Sequence, residues 1–349
     1  MKAKKTNLQG SRDGSIDLIK AIAILFVLFI HAYTSCFRSK MSTPDWYGGM
    51  VLSAAVRPGV PLFLMATGAL MLRPEKDLPL KRLYGKYLPR LLIALFFWAY
   101  LYHIYDLWET GTLNPANLWF RFKRLFFFDH EGHLYYLHIT LLFYVMLPVL
   151  RVFTKHADRK TLWYAIAVWF VTGILLPTIR PYYPYNMFKG IPIQWMLNMT
   201  WASMGYGLLG YALSTRKCKP LGFAILLAAG LALTYLLTLK ETFKQGRLVD
   251  TFLQGFSVNV CLYAAGIFGL CRALYKGKGR RPVRFLSLAS FCIYLSHMLV
   301  IKRLKLAGYM NISDTAVLMI PLVVITVLAI CLVLYWILSR IPIVRKYLV

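Results

Sequence analysis

Lys20 and His31 are the residues of this 349-residue chain whose types and spacing most directly suggest chemistry. They stand eleven positions apart inside 15–37 (SIDLIKAIAILFVLFIHAYTSCF), a run apolar and long enough to cross a bilayer. Three helical turns put them on one face, about 16 Å apart along the axis. Ionisable groups in hydrocarbon are costly, so they face a bundle interior or a watery cavity and mark pathways or reaction sites. The chemistry such groups supply is proton transfer by the imidazole and anion binding by the amine. Asp17, three residues before Lys20 on the same face, belongs to the set or simply neutralises the amine.

Other polar residues fall into two depths once spans are drawn. Toward the His31 end lie Arg57, His133 at the start of a span, Gln194 and Asn198, then Gln254, Ser257 and Asn259, and finally Tyr294, Ser296 and His297. A polar substrate would sit there. His133 reads either as a cap at headgroup level or as an acceptor contact, while His103 and His138 read as ordinary interhelical contacts. Toward the Lys20 end, Arg82, Lys86 and Arg90 recur every fourth residue before and after Pro89. Such a stripe suits a phosphorylated ligand such as a nucleotide or coenzyme A. It also suits plain anchoring by snorkelling side chains, and Arg90, the deepest, is the best ligand candidate.

The elements that must carry these residues are membrane helices. The chain is 59% hydrophobic with a mean hydropathy of +0.57. Ten spans are expected, at 16–37, 51–72, 88–105, 134–152, 161–179, 192–213, 220–239, 254–272, 285–301 and 316–338, making an all-α polytopic integral membrane protein. The ninth is the weakest. With both termini cytoplasmic, inside segments hold 26 of the 41 Lys and Arg and outside loops hold 13, the bias that short loops should show. The net charge of +28 is therefore assigned to topology and anionic lipid, not to nucleic acid. Six cysteines form no CxxC pair, so neither a disulfide framework nor a metal site is expected. The short basic N-terminus reads as an uncleaved anchor. Within 106–133, the amphipathic run 118–128 (LWFRFKRLFFF) reads as an interfacial helix, with a lid over the outer cavity as the sharper alternative. Residues 1–349 read as a single membrane domain with no appended soluble domain.

Four blocks carry a family resemblance: 17–31 (DLIKAIAILFVLFIH), 60–72 (VPLFLMATGALML), 133–148 (HLYYLHITLLFYVMLP) and 290–300 (SFCIYLSHMLV). Their order and spacing resemble the acyltransferase 3 family of bacterial membrane proteins, in particular its surface-polysaccharide O-acetyltransferases such as the enterobacterial common antigen branch. That family carries a basic residue, ten intervening residues and a histidine on its first helix, matched here by Lys20 and His31. Arginine is commoner at the first position, and lysine cannot reproduce its bidentate fork. The second block usually reads VPLFFMISG; Thr67 and Gly68 keep its hydroxyl and its glycine.

The resemblance implies an enzyme of the bacterial cytoplasmic membrane that moves an acyl group, expected to be acetyl, from cytoplasmic acyl-CoA to a hydroxyl of a surface glycan or its lipid-linked precursor. Acetyl-CoA is then a substrate, and no bound cofactor is expected. His31 would take the hydroxyl proton and Arg57 would stabilise the carbonyl oxygen, with Lys20 and Asp17 completing the catalytic set. An acyl-histidine route stays open. Arg90, Lys86 and Arg82 would hold the donor, and His133, His297, Tyr294 and Asn198 the acceptor. Membrane lipids are partners, and self-association is left open. The competing reading is an exporter of a polysaccharide or lipid-linked intermediate, although no convincing pair of broken helices marks one.

Overall fold

A computed structural model describes residues 12–182, 189–216, 219–275, 281–312 and 315–349. The basic tail before Arg12, Cys218 and residues 276–280 lie outside the described residues. All regular structure among the described residues is helical. Nine helices there are long and apolar enough to cross a membrane.

Helix α1 (Gly14–Cys36) starts where Asp13 accepts the backbone N–H of Ser15. It packs on α3 (Gly59–Met71), α10 (Val258–Leu274), α11 (Arg281–Leu306) and α12 (Ala316–Leu338). Protein therefore surrounds α1 on several sides, which explains how it tolerates ionisable side chains. Of its charged or basic side chains, Asp17 is buried and Lys20 and His31 are partly buried.

The expected span 51–72 is two helices, α2 (Pro44–Ala55) and α3, separated at Val56, Arg57 and Pro58. Proline at 58 has no N–H to give and clashes with a continuing helix, so the chain breaks there and Arg57 sits at the break. Helix α4 (Leu80–Glu109) begins eight residues before the expected 88. Its segment Leu83–Tyr87 is a π-helical turn, in which the Leu88 N–H reaches back to Leu83 O. The wider turn accommodates Pro89, which can neither donate nor tolerate a tight carbonyl four residues back.

The 118–128 run forms the exposed helix α5 (Pro115–Leu125), capped by Asn114, with Trp119, Phe120 and Phe126 to Phe128 exposed. Two spans follow, α6 (Tyr135–His156) and α7 (Arg159–Pro181). The expected sixth span, 192–213, differs from the sequence reading. The chain makes one 3₁₀ turn at Ile193–Trp195 and then the 16-residue helix α8 (Met199–Ser214). At about 24 Å that helix is shorter than the hydrocarbon core. Every side chain from Ala202 to Ser214 is buried, so α8 meets protein and not lipid, and the length rule does not bind it. Helix α9 (Pro220–Gln245) lies against α10. The span expected to be weakest is α11, 26 residues long and continuing through Lys302, Arg303 and Lys305. A short helix α13 (Pro342–Tyr347) ends the chain beside α4.

Helices α3 and α8 approach almost to backbone contact. A Cβ at Gly68 would fall on the backbone of Gly207, and one at Gly210 on the backbone of Met65. Small residues are what allow such close crossings where lipid supplies no hydrophobic drive. Gly68→Ala should therefore force the pair apart and destabilise the protein by about 1–3 kcal/mol. Gly222→Ala, with nothing within 4 Å of the new carbon, should be neutral or stabilising. Thermal unfolding in detergent checks both; equal midpoints for Gly68→Ala and the wild type would contradict the close crossing.

Candidate active site

Three histidines meet at one end of α1. His31 of α1 lies with its ring centroid 4.9 Å from His297 of α11 and 6.2 Å from His133, and the His133 and His297 rings are 5.3 Å apart. His133 is carried by the 3₁₀ turn Gly132–Leu134 that leads into α6. The hydroxyl of Tyr294 holds that turn by donating to the His133 carbonyl. Tyr102 of α4 closes another side, its ring 4.9 Å from His133 and its hydroxyl donating to Leu295 O at 2.9 Å. Sequence reading had separated these histidines into a base and acceptor contacts; the fold makes them one cluster.

Both ring nitrogens of His133, and Nε2 of His297, are buried without a hydrogen-bond partner among the described residues. Leaving such a group unmade costs about 1–3 kcal/mol, so three together ask for a reason. A hydroxyl-bearing ligand supplies one. The cluster does not have metal-holding geometry, and the five described cysteines are buried and free.

A cavity of about 350 Å³ runs from the Lys20 end of the bundle toward this cluster. Lys20, Arg90 and Tyr144 line one end, and Tyr136 and Tyr294 line the other. Tyr136 to Tyr144 spans about 12 Å of helix rise. Tyr294 belongs to both features, its ring centroid 6.1 Å from those of His133 and His297. Lys20 Nζ donates to Ser287 O at 3.0 Å and still faces the cavity. Arg90 donates to the carbonyl of Val349 at 2.5 Å and lies 5.3 Å from the Phe291 ring, with its Nε unpaired. Arg82 and Lys86 are exposed and line no part of this cavity. A π turn spans Leu83–Tyr87, and Tyr87, three residues before Arg90, lines the cavity beside it.

Asp17 does not pair with Lys20. Its carboxylate takes two bonds from Arg12, at 2.6 and 2.7 Å, and one from Ser287 Oγ at 2.7 Å. It also lies fourteen residues, about 21 Å of rise, from His31. Arg57 donates to Ser53 O at 3.0 Å and to the Ser53 hydroxyl, and its guanidinium is 5.9 Å from the Tyr33 ring centroid. It makes no hydrogen bond to His31. Asn198 is exposed and serves as the cap of α8, accepting from Thr200 N and Trp201 N at 3.1 and 3.2 Å. The structure does not bring it to the cluster. His103 and His138 make the bland contacts expected of them, with Asp129 O and His130.

Sequence reading missed the ion triad beyond the histidines. Lys302 Nζ reaches Asp106 at 2.9 Å and Glu131 at 2.5 Å, and sits 5.6 Å from the Tyr102 ring centroid. Only the run Lys302, Arg303 and Lys305 hinted at it, since its acidic partners are about 170 or more residues away.

At the opposite end, Asp13 joins Arg272 at 2.6 Å and Arg73 at 3.3 Å, tying α1 to α10 and α3. Burial alone would raise its carboxyl, but the Ser15 hydroxyl and the guanidinium charges outweigh it and hold the group below its ordinary value. Its stabilisation is thus full above the unfolded carboxylate pKa, about 4, and lost as pH falls through the lower native value. Asp13→Asn should lower the unfolding temperature at pH 7, and the gap from wild type should close on acidification. A gap independent of pH would show that the charge is not what matters.

No curated protein and no solved structure matches the chain. The model of the acyltransferase 3 family, described as an acyltransferase domain, matches residues 13–336 and so takes in α1 to α11 and nearly all of α12. By that match, around a membrane-helix bundle with a histidine cluster joined to a cavity, the chain belongs to the acyltransferase 3 family and is a membrane acyltransferase.

Proposed function

We propose that the enzyme transfers an acyl group, acetyl in the first instance, from acyl-CoA to a hydroxyl of a surface polysaccharide or its lipid-linked precursor. On this reading it resides in a bacterial cytoplasmic membrane, with the Lys20 end toward the cytoplasm. One observation carries the proposal: a single cavity has Lys20 and Arg90 at one end and at the other Tyr294, which stands between the cavity and the histidine cluster, 6.1 Å from the His133 and His297 ring centroids. Cationic side chains suit the phosphates of coenzyme A, and an apolar, tyrosine-lined passage suits its thioester arm.

In the reaction, His31 takes the proton of the acceptor hydroxyl as its oxygen attacks the thioester carbonyl. A tetrahedral intermediate forms, the carbon–sulfur bond breaks, and the leaving thiolate receives the proton from His31. Ester and free thiol result. His133, with both nitrogens unpaired, is suited to hold the acceptor hydroxyl; Tyr294, whose hydroxyl is engaged by the His133 carbonyl, shapes the passage instead. Arg57, anchored to Ser53 through Nε and one Nη, contributes its positive charge beside the cluster and keeps further N–H groups on the guanidinium. Lys20 and Arg90 serve the donor.

The exporter reading has one observation in its favour, the break between α2 and α3. It gives the unpaired histidine nitrogens no task.

Protein in nanodiscs should bind acetyl-CoA saturably, and Arg90→Ala should weaken binding about tenfold or more, the scale of a charge-assisted hydrogen bond. His31→Ala and His31→Gln should insert normally, since intramembrane hydrogen bonds average only about 0.6 kcal/mol. Both should lose about 10² to 10⁴ in transfer rate, because glutamine keeps a hydrogen bond but accepts no proton. Near wild-type transfer by a correctly inserted His31→Gln protein would rule out the base role.

A further inference from the structure

His297 is the cluster member whose state the structure fixes most tightly. It is 0% exposed. Its Nδ1 lies 2.7 Å from Tyr294 O and 3.1 Å from Ile293 O. Both partners are carbonyls, which only accept, so Nδ1 must carry the hydrogen. In the neutral ring Nε2 is then a bare acceptor, and nothing among the described residues donates to it. A second proton on Nε2 would bury a charge with no carboxylate against it.

Of the cluster rings, His31 lies nearest that of His297, at 4.9 Å between centroids and 50° between planes, against 5.3 Å for His133. A general base usually has its far nitrogen oriented by a third group, most often a carboxylate. Among the described residues no carboxylate is bonded to His31. Asp17 is held by Arg12 and Ser287 at the other end of α1, and Asp106 and Glu131 are held by Lys302.

We propose that His297 is the positioning residue for His31. The two rings are in contact without a hydrogen bond in the free protein; when the acceptor hydroxyl engages His31, the bare Nε2 of His297 accepts the other ring N–H of His31 and so selects the tautomer whose remaining nitrogen keeps its lone pair for that hydroxyl. When His31 takes the hydroxyl proton, the same bond steadies the imidazolium until the thiolate receives that proton. No proton passes to His297, and its Nδ1–H stays on the Tyr294 carbonyl throughout. His297 thus acts on the base rather than on the sugar, where the sequence had grouped it. This role rests on the acyl-transfer reading only for its consequence, not for its geometry.

Two replacements separate the nitrogens. In His297→Gln the side-chain oxygen reaches the place of Nε2; in His297→Asn the amide reaches only the place of Nδ1. Each variant is read for transfer at saturating acetyl-CoA and acceptor, for both KM values, and for the rate at which diethyl pyrocarbonate modifies His31, followed by peptide mass spectrometry. His297→Asn should lose about 10² in kcat with KM values little changed, and His31 modification should slow in parallel. His297→Gln should recover most of both. Recovery by Asn and not by Gln would assign His297 to helix packing through Nδ1 and overturn the proposal, as would equal behaviour of two correctly inserted variants. Diethyl pyrocarbonate needs no coenzyme A, so an absence of acyl transfer in the wild type would sink the proposed function while the modification rates still judged His297. Were neither variant to insert, ring ¹⁵N spectra of the wild type with acceptor bound decide: one protonated and one hydrogen-bonded bare nitrogen on His297 supports the assignment, and two protonated nitrogens or an unbonded bare nitrogen contradict it.

Discussion

Hydrocarbon offers ionisable groups no solvation, so every one of them on α1 must be answered by protein or by ligand. That constraint organises the molecule. At the Lys20 end the answers come from protein: Asp13 is met by Arg272 and Arg73, Asp17 by Arg12 and Ser287, and Lys20 by the Ser287 carbonyl. These bonds tie α1 to α3, α10 and α11 and thereby set its rotation. With the rotation set, His31, three turns on, faces His297 and His133. At that end the protein's answer stops short, and three ring nitrogens stay unpaired. Stability is concentrated at one end of the helix and unmet hydrogen-bonding capacity at the other, which is the division expected of a site whose chemistry needs a bound partner.

The cavity gives this asymmetry a direction. Its Lys20 end is cationic, its walls are largely apolar and aromatic, and it reaches the histidines through Tyr294. Arg90 holds the Val349 carbonyl yet keeps an unpaired Nε, so it is anchored and still able to donate. Acyl transfer under the proposed scheme then needs no carrier that crosses the membrane: a thioester arm extends along the passage, and only the acyl group leaves on the far side.

Much of this was legible in the sequence because the strongest signals were local. The spacing of Lys20 and His31, the apolar periodicity of the spans and the amphipathic run that became α5 all follow from helical geometry within a few turns. Depth reasoning also gathered His31, His133 and His297 at one level, although it could not bring three helices to one point. What escaped depended on irregular backbone or on distant partners. The Arg82, Lys86 and Arg90 stripe assumed a regular helix, but a π turn interrupts it and only Arg90 lines the cavity. The Val56–Pro58 break held Arg57 to Ser53. Asn198 looked like a polar side chain in a span because α8 begins at Met199, which turns that asparagine into a cap. Lys302 has no acidic neighbour in the sequence, and only the fold delivers Asp106 and Glu131 to it.

Sidedness is the most direct test of a donor cavity at one end joined to a reaction centre at the other. Sealed proteoliposomes of uniform orientation would receive acetyl-labelled coenzyme A on the Lys20 side and a glycan acceptor on the His31 side, each membrane-impermeant. The account predicts labelled ester on the far-side acceptor, with free coenzyme A left on the donor side. Ester formed only when donor and acceptor share one compartment would contradict it.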